Sequence, residues 1–130
     1  ASGNNNFVLF NSGTTWTQNG ISFTAVKAEH SDAYAIGVII DDGNKKYYVT
    51  GDTLYNEEIF KTLPRDIYAL FLPINGVGNN MNMQDALKFA KRVNAKRVVP
   101  IHIGMFDELT AESFNQKNKV IPQIYKEIKL

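Results

Sequence analysis

The chain contains no cysteine. That absence removes disulfides, thiolate metal sites and cysteine nucleophiles together. Charge of one sign is also missing: fourteen Lys and Arg against thirteen Asp and Glu leave a net +1. No long-range field therefore steers the molecule toward nucleic acid or an anionic membrane, and neither is an expected partner. No apolar run approaches the roughly 20 residues of a membrane span, and no basic-then-apolar start reads as a secretory signal. The expected location is the cytoplasm. Proline is scarce, with four in 130 residues, while apolar residues reach 44% and charged residues 21%. This is the composition of one soluble globular domain, long enough to bury about two-thirds of its unfolded surface.

The hydrophobic pattern changes period part-way along. Phe7-Val8-Leu9-Phe10 reads as a short strand, and Asn19-Gly20 as a tight turn. Alternation from Ile21 predicts a half-buried strand running toward His30, and Tyr34 to Ile40 a second, closed by Asp41-Asp42-Gly43-Asn44. Lys46 to Thr50 resumes as a strand. Asn56 then caps a predicted short helix, Glu57 to Leu63. The run Ile67 to Ile74 is nearly all apolar and fits a strand covered on both faces. Asn82 and Asn94 bracket a helix over Met83 to Val93, and Arg97 to Ile101 is another buried strand. From Ala111 a weaker helical pattern follows, interrupted by Pro122. Strand-rich first, then β-α-β-α-β-α, the order predicts an α/β fold: a mixed sheet flanked by helices, in a single domain over 1–130.

Chemistry concentrates at three strand ends. His30 follows one strand, Asp52 in Thr50-Gly51-Asp52-Thr53 follows another, and His102 ends Val99-Pro100-Ile101-His102. The carboxyl rim of an α/β sheet is where loops converge, and imidazole with carboxylate suits zinc, iron or manganese. Taken singly, each of these residues serves equally well as a loop or cap residue. The Asn75-Gly76-Val77-Gly78-Asn79-Asn80 loop lacks the Lys and Ser/Thr of a phosphate-binding loop, so it reads as a rim loop in which Asn75 and Gly76 can touch a substrate. Ser12, Ser22, Ser31 and Ser113 sit in no nucleophile elbow. Lys117, Lys119, Lys126 and Lys129 form a mildly basic, solvated face.

Read as an ordered set, Glu29-His30-Ser31-Asp32, Thr50-Gly51-Asp52-Thr53, Leu72-Pro73-Ile74-Asn75-Gly76, Met81 to Ala90 and Pro100-Ile101-His102 resemble the second half of a metallo-β-lactamase-fold hydrolase. The nearest likeness is to the branch containing L-ascorbate-6-phosphate lactonase. The resemblance implies an αββα sandwich with a two-metal centre, zinc or manganese, at one edge. It implies that His30 is a ligand of the first metal, that Asp52 bridges both metals as the catalytic carboxylate, and that His102 is a ligand of the second. The family's His-x-His-x-Asp-His run is absent, and both histidines are already used.

The expectation is therefore the C-terminal half of a larger metallo-β-lactamase-like domain. The parent is a metal-dependent hydrolase of a lactone, phosphoester or related small molecule; this piece by itself is inactive, with weak or absent metal. The alternative is a non-catalytic module that self-associates. Half a sandwich exposes an apolar sheet face, for which Val38, Ile40, Tyr48 and Phe71 are candidates. The expected partners are thus a small-molecule substrate and either the missing N-terminal half or a second copy.

Overall fold

The computed structural model describes residues 9–103 and 110–130. Six strands form one sheet in chain order: β1 (Thr15–Gln18), β2 (Ile21–Lys27), β3 (Ile36–Asp41), β4 (Lys46–Val49), β5 (Ile67–Pro73) and β6 (Arg97–Ile101). The pairings from β1 to β4 are antiparallel, and those of β4 with β5 and β5 with β6 are parallel. Hence β2, β4, β5 and β6 all point the same way, and their carboxyl ends share one rim. The sheet is the expected mixed α/β arrangement.

Parallel neighbours need crossovers. Between β4 and β5 the crossover is a 3-10 turn, Glu57–Lys61, where a short helix over Glu57 to Leu63 was expected. Between β5 and β6 it is helix α1 (Met83–Val93). Asn82 caps α1 by accepting from the Asp85 amide at 2.9 Å. Asn94 ends it in the left-handed conformation, φ 54°. The buried stripe Ala86, Phe89, Ala90 and Val93 lies against the sheet.

Register fixes what meets that stripe. Ile39, Tyr48, Leu70 and Val98 are neighbours across β3, β4, β5 and β6, so they share a face. All four are buried, and the Tyr48 and Phe89 rings lie 6.2 Å apart. Tyr48 fits because residue 37 is glycine: a Cβ there would sit 2.9 Å from Tyr48 Cε2 and 2.9 Å from the Thr50 carbonyl oxygen. The opposite face carries Phe23, Val38, Ile40 and Phe71, which are half-buried. Tyr48, expected on that more open face, belongs instead to the helix side, because it falls between Tyr47 and Val49 in a strand of period two.

Other expectations also change. β1 (TWTQ) had no visible hydrophobic run and forms through its turn with β2, cross-strand hydroxyl pairs joining Thr15 to Thr24 and Thr17 to Ser22. Of the expected strand from Phe7 to Phe10, residues 7 and 8 lie outside the described residues, and Leu9 and Phe10 are not in a strand. The helix expected from Ala111 is a 3-10 turn, Ala111–Ser113. Lys119 gives its ammonium to the carbonyls of Ala111, Glu112 and Phe114 at 3.2, 2.6 and 2.9 Å. The chain then bridges β6 in parallel at Val98 and Lys119. No helix among the described residues is long and apolar enough to cross a membrane.

The Tyr48 hydroxyl is buried without a hydrogen-bond partner among the described residues. Burial pushes its phenol well above the ordinary 10.0. The unfolded chain ionises this phenol from about pH 10 while the folded chain cannot, so stability falls as pH rises past that value. Tyr48→Phe should leave stability at pH 7 unchanged or raise it by about 1–2 kcal/mol, because an unpaired buried hydroxyl is removed. The advantage should widen at pH 10.5, as measured by urea denaturation; a variant less stable at both pH values would contradict this account.

Candidate metal centre

β4 ends at Val49, and the Thr50 amide still bonds to the Phe71 carbonyl at 3.0 Å. Gly51 then turns the chain at φ 64°, where a Cβ would lie 2.9 Å from the Ile36 carbonyl oxygen. Only glycine serves at this position, and the turn delivers Asp52 to the rim. On β6, His102 follows the last strand residue at φ 54°, a left-handed conformation uncommon outside glycine, asparagine and histidine. The Ile74 amide bonds the Ile101 carbonyl at 3.3 Å and holds that strand end against β5. The result is a contact: His102 Nδ1 lies 3.5 Å from Asp52 Oδ1. The two side chains are 39% and 48% exposed, so solvent reaches both.

The hub beside this pair is Thr53, which is fully buried. Its Oγ1 accepts from the Glu29 amide at 2.8 Å and donates to the Leu54 carbonyl at 3.0 Å. The Thr53 carbonyl accepts from Met81 N–H, and the Leu54 amide donates to the Glu29 carbonyl. Three rim loops, those after β2, β4 and β5, are thereby joined around one residue, the first through its hydroxyl and the last through its backbone carbonyl. Ser31 and Asn79 add a second stitch, with the Ser31 amide on Asn79 Oδ1 at 3.2 Å and Asn79 Nδ2 on Ser31 Oγ at 2.9 Å. Sequence reasoning missed Thr53 and Asn79. Nothing marks a threonine after an aspartate as a hub until its neighbours in space are known.

His30 sits on the loop stitched to Asp52's own, yet its imidazole is turned to local work. The Asp32 amide donates to His30 Nδ1 at 2.8 Å. A neutral ring in that bond carries its proton on Nε2, so ligation through Nε2 requires the opposite tautomer and release of the Asp32 amide. The structure thus brings two of the three predicted ligands together, and His30 is not clustered with them. Among the described residues no group of three or more His, Asp or Glu is placed to hold a metal ion. The donor set nevertheless suits a divalent cation: a carboxylate and an imidazole in contact at an open rim, each with a second ligand atom. Asn75 and Gly76 lie at the same rim. Asn75 Oδ1 accepts from the Val77 amide at 3.2 Å, and the Gly76 amide bonds the Met81 carbonyl at 3.0 Å, so both shape their own loop.

A family model described as the beta-lactamase superfamily domain matches residues 3–103. The chain belongs to this family. A UPF0173 metal-dependent hydrolase of Thermus thermophilus is 30% identical over 120 residues, covering 85% of this chain and 53% of that protein. Igni18, a metallo hydrolase of the archaeon Ignicoccus hospitalis, superposes with a TM-score of 0.65 at 27% identity, over 74% of this chain and 45% of its own. A zinc-dependent hydrolase of the metallo-β-lactamase superfamily from Thermotoga maritima gives 0.67 at 21% identity, over 81% of this chain and 56% of that one, and shares the fold. The chain spans about half the length of the relatives it matches. Within the superfamily fold, Asp52 and His102 occupy strand ends on one rim, where the family resemblance had assigned metal ligands.

Two substitutions test the local construction of this rim. Thr53→Val should cost about 1–3 kcal/mol, since it leaves the half-buried Glu29 amide without its acceptor. Gly51→Ala should cost at least as much, through positive φ and the clash with Ile36. Unfolding free energies from denaturant titration within a few tenths of a kcal/mol of the parent chain would refute both assignments.

Proposed function

We propose that this chain contributes one side of the divalent-metal centre of a metal-dependent hydrolase, acting on a lactone, a phosphoester or a related small substrate. The single observation that carries the reading is the Asp52–His102 contact at the carboxyl rim. The names of its relatives support it, as does the donor chemistry. In this reading Asp52 and His102 would hold the metal, and His30 would join them once its ring leaves the Asp32 amide. Zinc or manganese, when bound, supplies a water-derived hydroxide near neutral pH and polarises the substrate oxygen. The protein's part is to hold the Asp52 carboxylate by the Gly51 turn and the Thr53 hub, and to orient the His102 ring through a fixed backbone.

Further ligands then come from a second half, which the relatives' greater length provides for. That half would pack on the face bearing Phe23, Val38, Ile40 and Phe71, as in a sandwich. The same face favours a second reading, in which it meets a second copy of this chain. It includes an apolar hollow of about 280 Å³ lined by Phe10, Trp16, Phe23 and Val38. Light scattering across a concentration series separates the two: a stable dimer supports self-association, and a monomer that dimerises only weakly supports a face meant for another segment.

Calorimetric titration with zinc or manganese should show weak binding, since two contacting ligands hold a cation poorly. Asp52→Asn and His102→Gly should each weaken it at least tenfold. The glycine variant keeps the left-handed backbone, so its fold should survive within about 1 kcal/mol. Metal binding indifferent to both substitutions would remove the proposed centre.

A further inference from the structure

The chain has two Asn-Gly pairs, Asn19-Gly20 and Asn75-Gly76, and one Asp-Gly pair, Asp42-Gly43. Glycine after asparagine permits a particular reaction. Its amide nitrogen has no side chain beside it, so it can attack the preceding Cγ and close a five-membered succinimide. A folded chain prevents this in two ways. The amide is already spent on a hydrogen bond, or the backbone cannot rotate to bring nitrogen and Cγ together. The pairs differ in both respects.

After β5 the Gly76 amide is bonded to the Met81 carbonyl at 3.0 Å, Asn75 Oδ1 accepts from the Val77 amide at 3.2 Å, and Asn75 bridges Asn82. Rotation there must break all of these contacts. The Gly43 amide is likewise held by Asp41 Oδ1 at 2.9 Å, and Asp42 Oδ1 accepts from the Asn44 and Lys45 amides at 2.9 and 2.7 Å. Asn19-Gly20 is different. Both residues are exposed. With φ at 52° and 80° they form the centre of a two-residue turn of type I′ that joins Gln18 to Ile21. Among the described residues the Gly20 amide donates to no acceptor, and the Asn19 side chain makes no hydrogen bond. The space around Gly20 is open, with nothing within 4 Å of a Cβ placed there. The hairpin also opens easily. All four residues of β1 are exposed, and β2 is its only strand partner among the described residues.

We infer that Asn19 is a modification site: a succinimide forms there spontaneously, and its isoaspartyl product detaches β1 from the sheet. In the first step the bond from Gly20 N to Asn19 Cγ forms, the Cγ–Nδ2 bond breaks, and the amide proton leaves with the amine as ammonia. Water then adds to one ring carbonyl as its C–N bond opens. Opening at Cγ gives aspartate. Opening at the main-chain carbonyl gives isoaspartate, whose chain runs on through Cβ and Cγ. No oxidant, reductant or metal enters. Aspartate tolerates positive φ and leaves the turn intact. Isoaspartate adds a methylene to the main chain, and the length of a hairpin turn sets the register of its strands. The pairs lost with that register are Thr15 with Thr24, Thr17 with Ser22, and Trp16 with Phe23, whose rings lie 5.5 Å apart. The hollow lined by Phe10, Trp16, Phe23 and Val38 goes with them. The metal rim keeps its shape, because β2 and β3 lie between β1 and the strand that leads to Asp52.

The test ages the whole chain in mildly alkaline buffer and follows deamidation by mass spectrometry of tryptic peptides. Asn19 falls in the peptide that ends at Lys27 and Asn75 in the one that ends at Lys88, and fragment ions locate the converted residue. A parallel sample in guanidinium chloride gives the unfolded rates. In the folded chain Asn19 should convert roughly tenfold or more faster than Asn75, whereas the unfolded chain should convert both at similar rates. Asn75 reacting as fast as Asn19 in the folded chain would overturn the assignment. So would an Asn19 that stays intact there after the unfolded sample has reacted. The isoaspartyl form is then separated by chromatography and compared by NMR with Asn19→Asp, which has the same charge and no added methylene. Proton contacts between the Trp16 and Phe23 rings should persist in Asn19→Asp and vanish in the isoaspartyl form, while the Glu29 and Met81 amides keep their shifts in both. Ring contacts that survive isoaspartate would refute the detachment of β1.

Discussion

The rim depends on one buried threonine. Thr53 has no solvent contact, and its hydroxyl and carbonyl together bind the loops that follow β2 and β5 to the loop that carries Asp52. Buried polar groups of this kind are stabilising only when fully paired, and here donor and acceptor are both used. The consequence reaches the chemistry. A carboxylate on a mobile turn would hold no cation in place, whereas Asp52 is flanked by Gly51, which admits no side chain, and by Thr53, which is anchored on two sides.

The two faces of the sheet divide the remaining tasks. One face is closed by α1, with Tyr48 seated over Gly37 and against Phe89. The other holds apolar residues only half covered, the face on which the proposed second half would pack.

Much of the fold was legible in the residue pattern because strong local signals coincided with tertiary need. α1 was readable to the residue, since Asn82 and Asn94 cap it and its apolar stripe has helical spacing. β5 and β6 were readable as apolar runs. β1 was not, because its four residues are all exposed and its pairing is supplied by β2. The stretch after Ala111 has helical periodicity yet folds as a short turn, because Lys119 collects its carbonyls and the chain pairs instead with β6.

Residue types and spacing alone determined that Asp52 and His102 end strands of an α/β sheet and that no thiol chemistry is available. Those are local properties, set by which side chains sit within a few positions of one another. Only the tertiary structure decided that the pair touches while His30 spends its Nδ1 on its own turn, that Tyr48 faces the helix, and that the loops are fastened through Thr53. Such facts follow from strand direction and register, which bring together groups fifty residues apart and which short-range pattern does not encode.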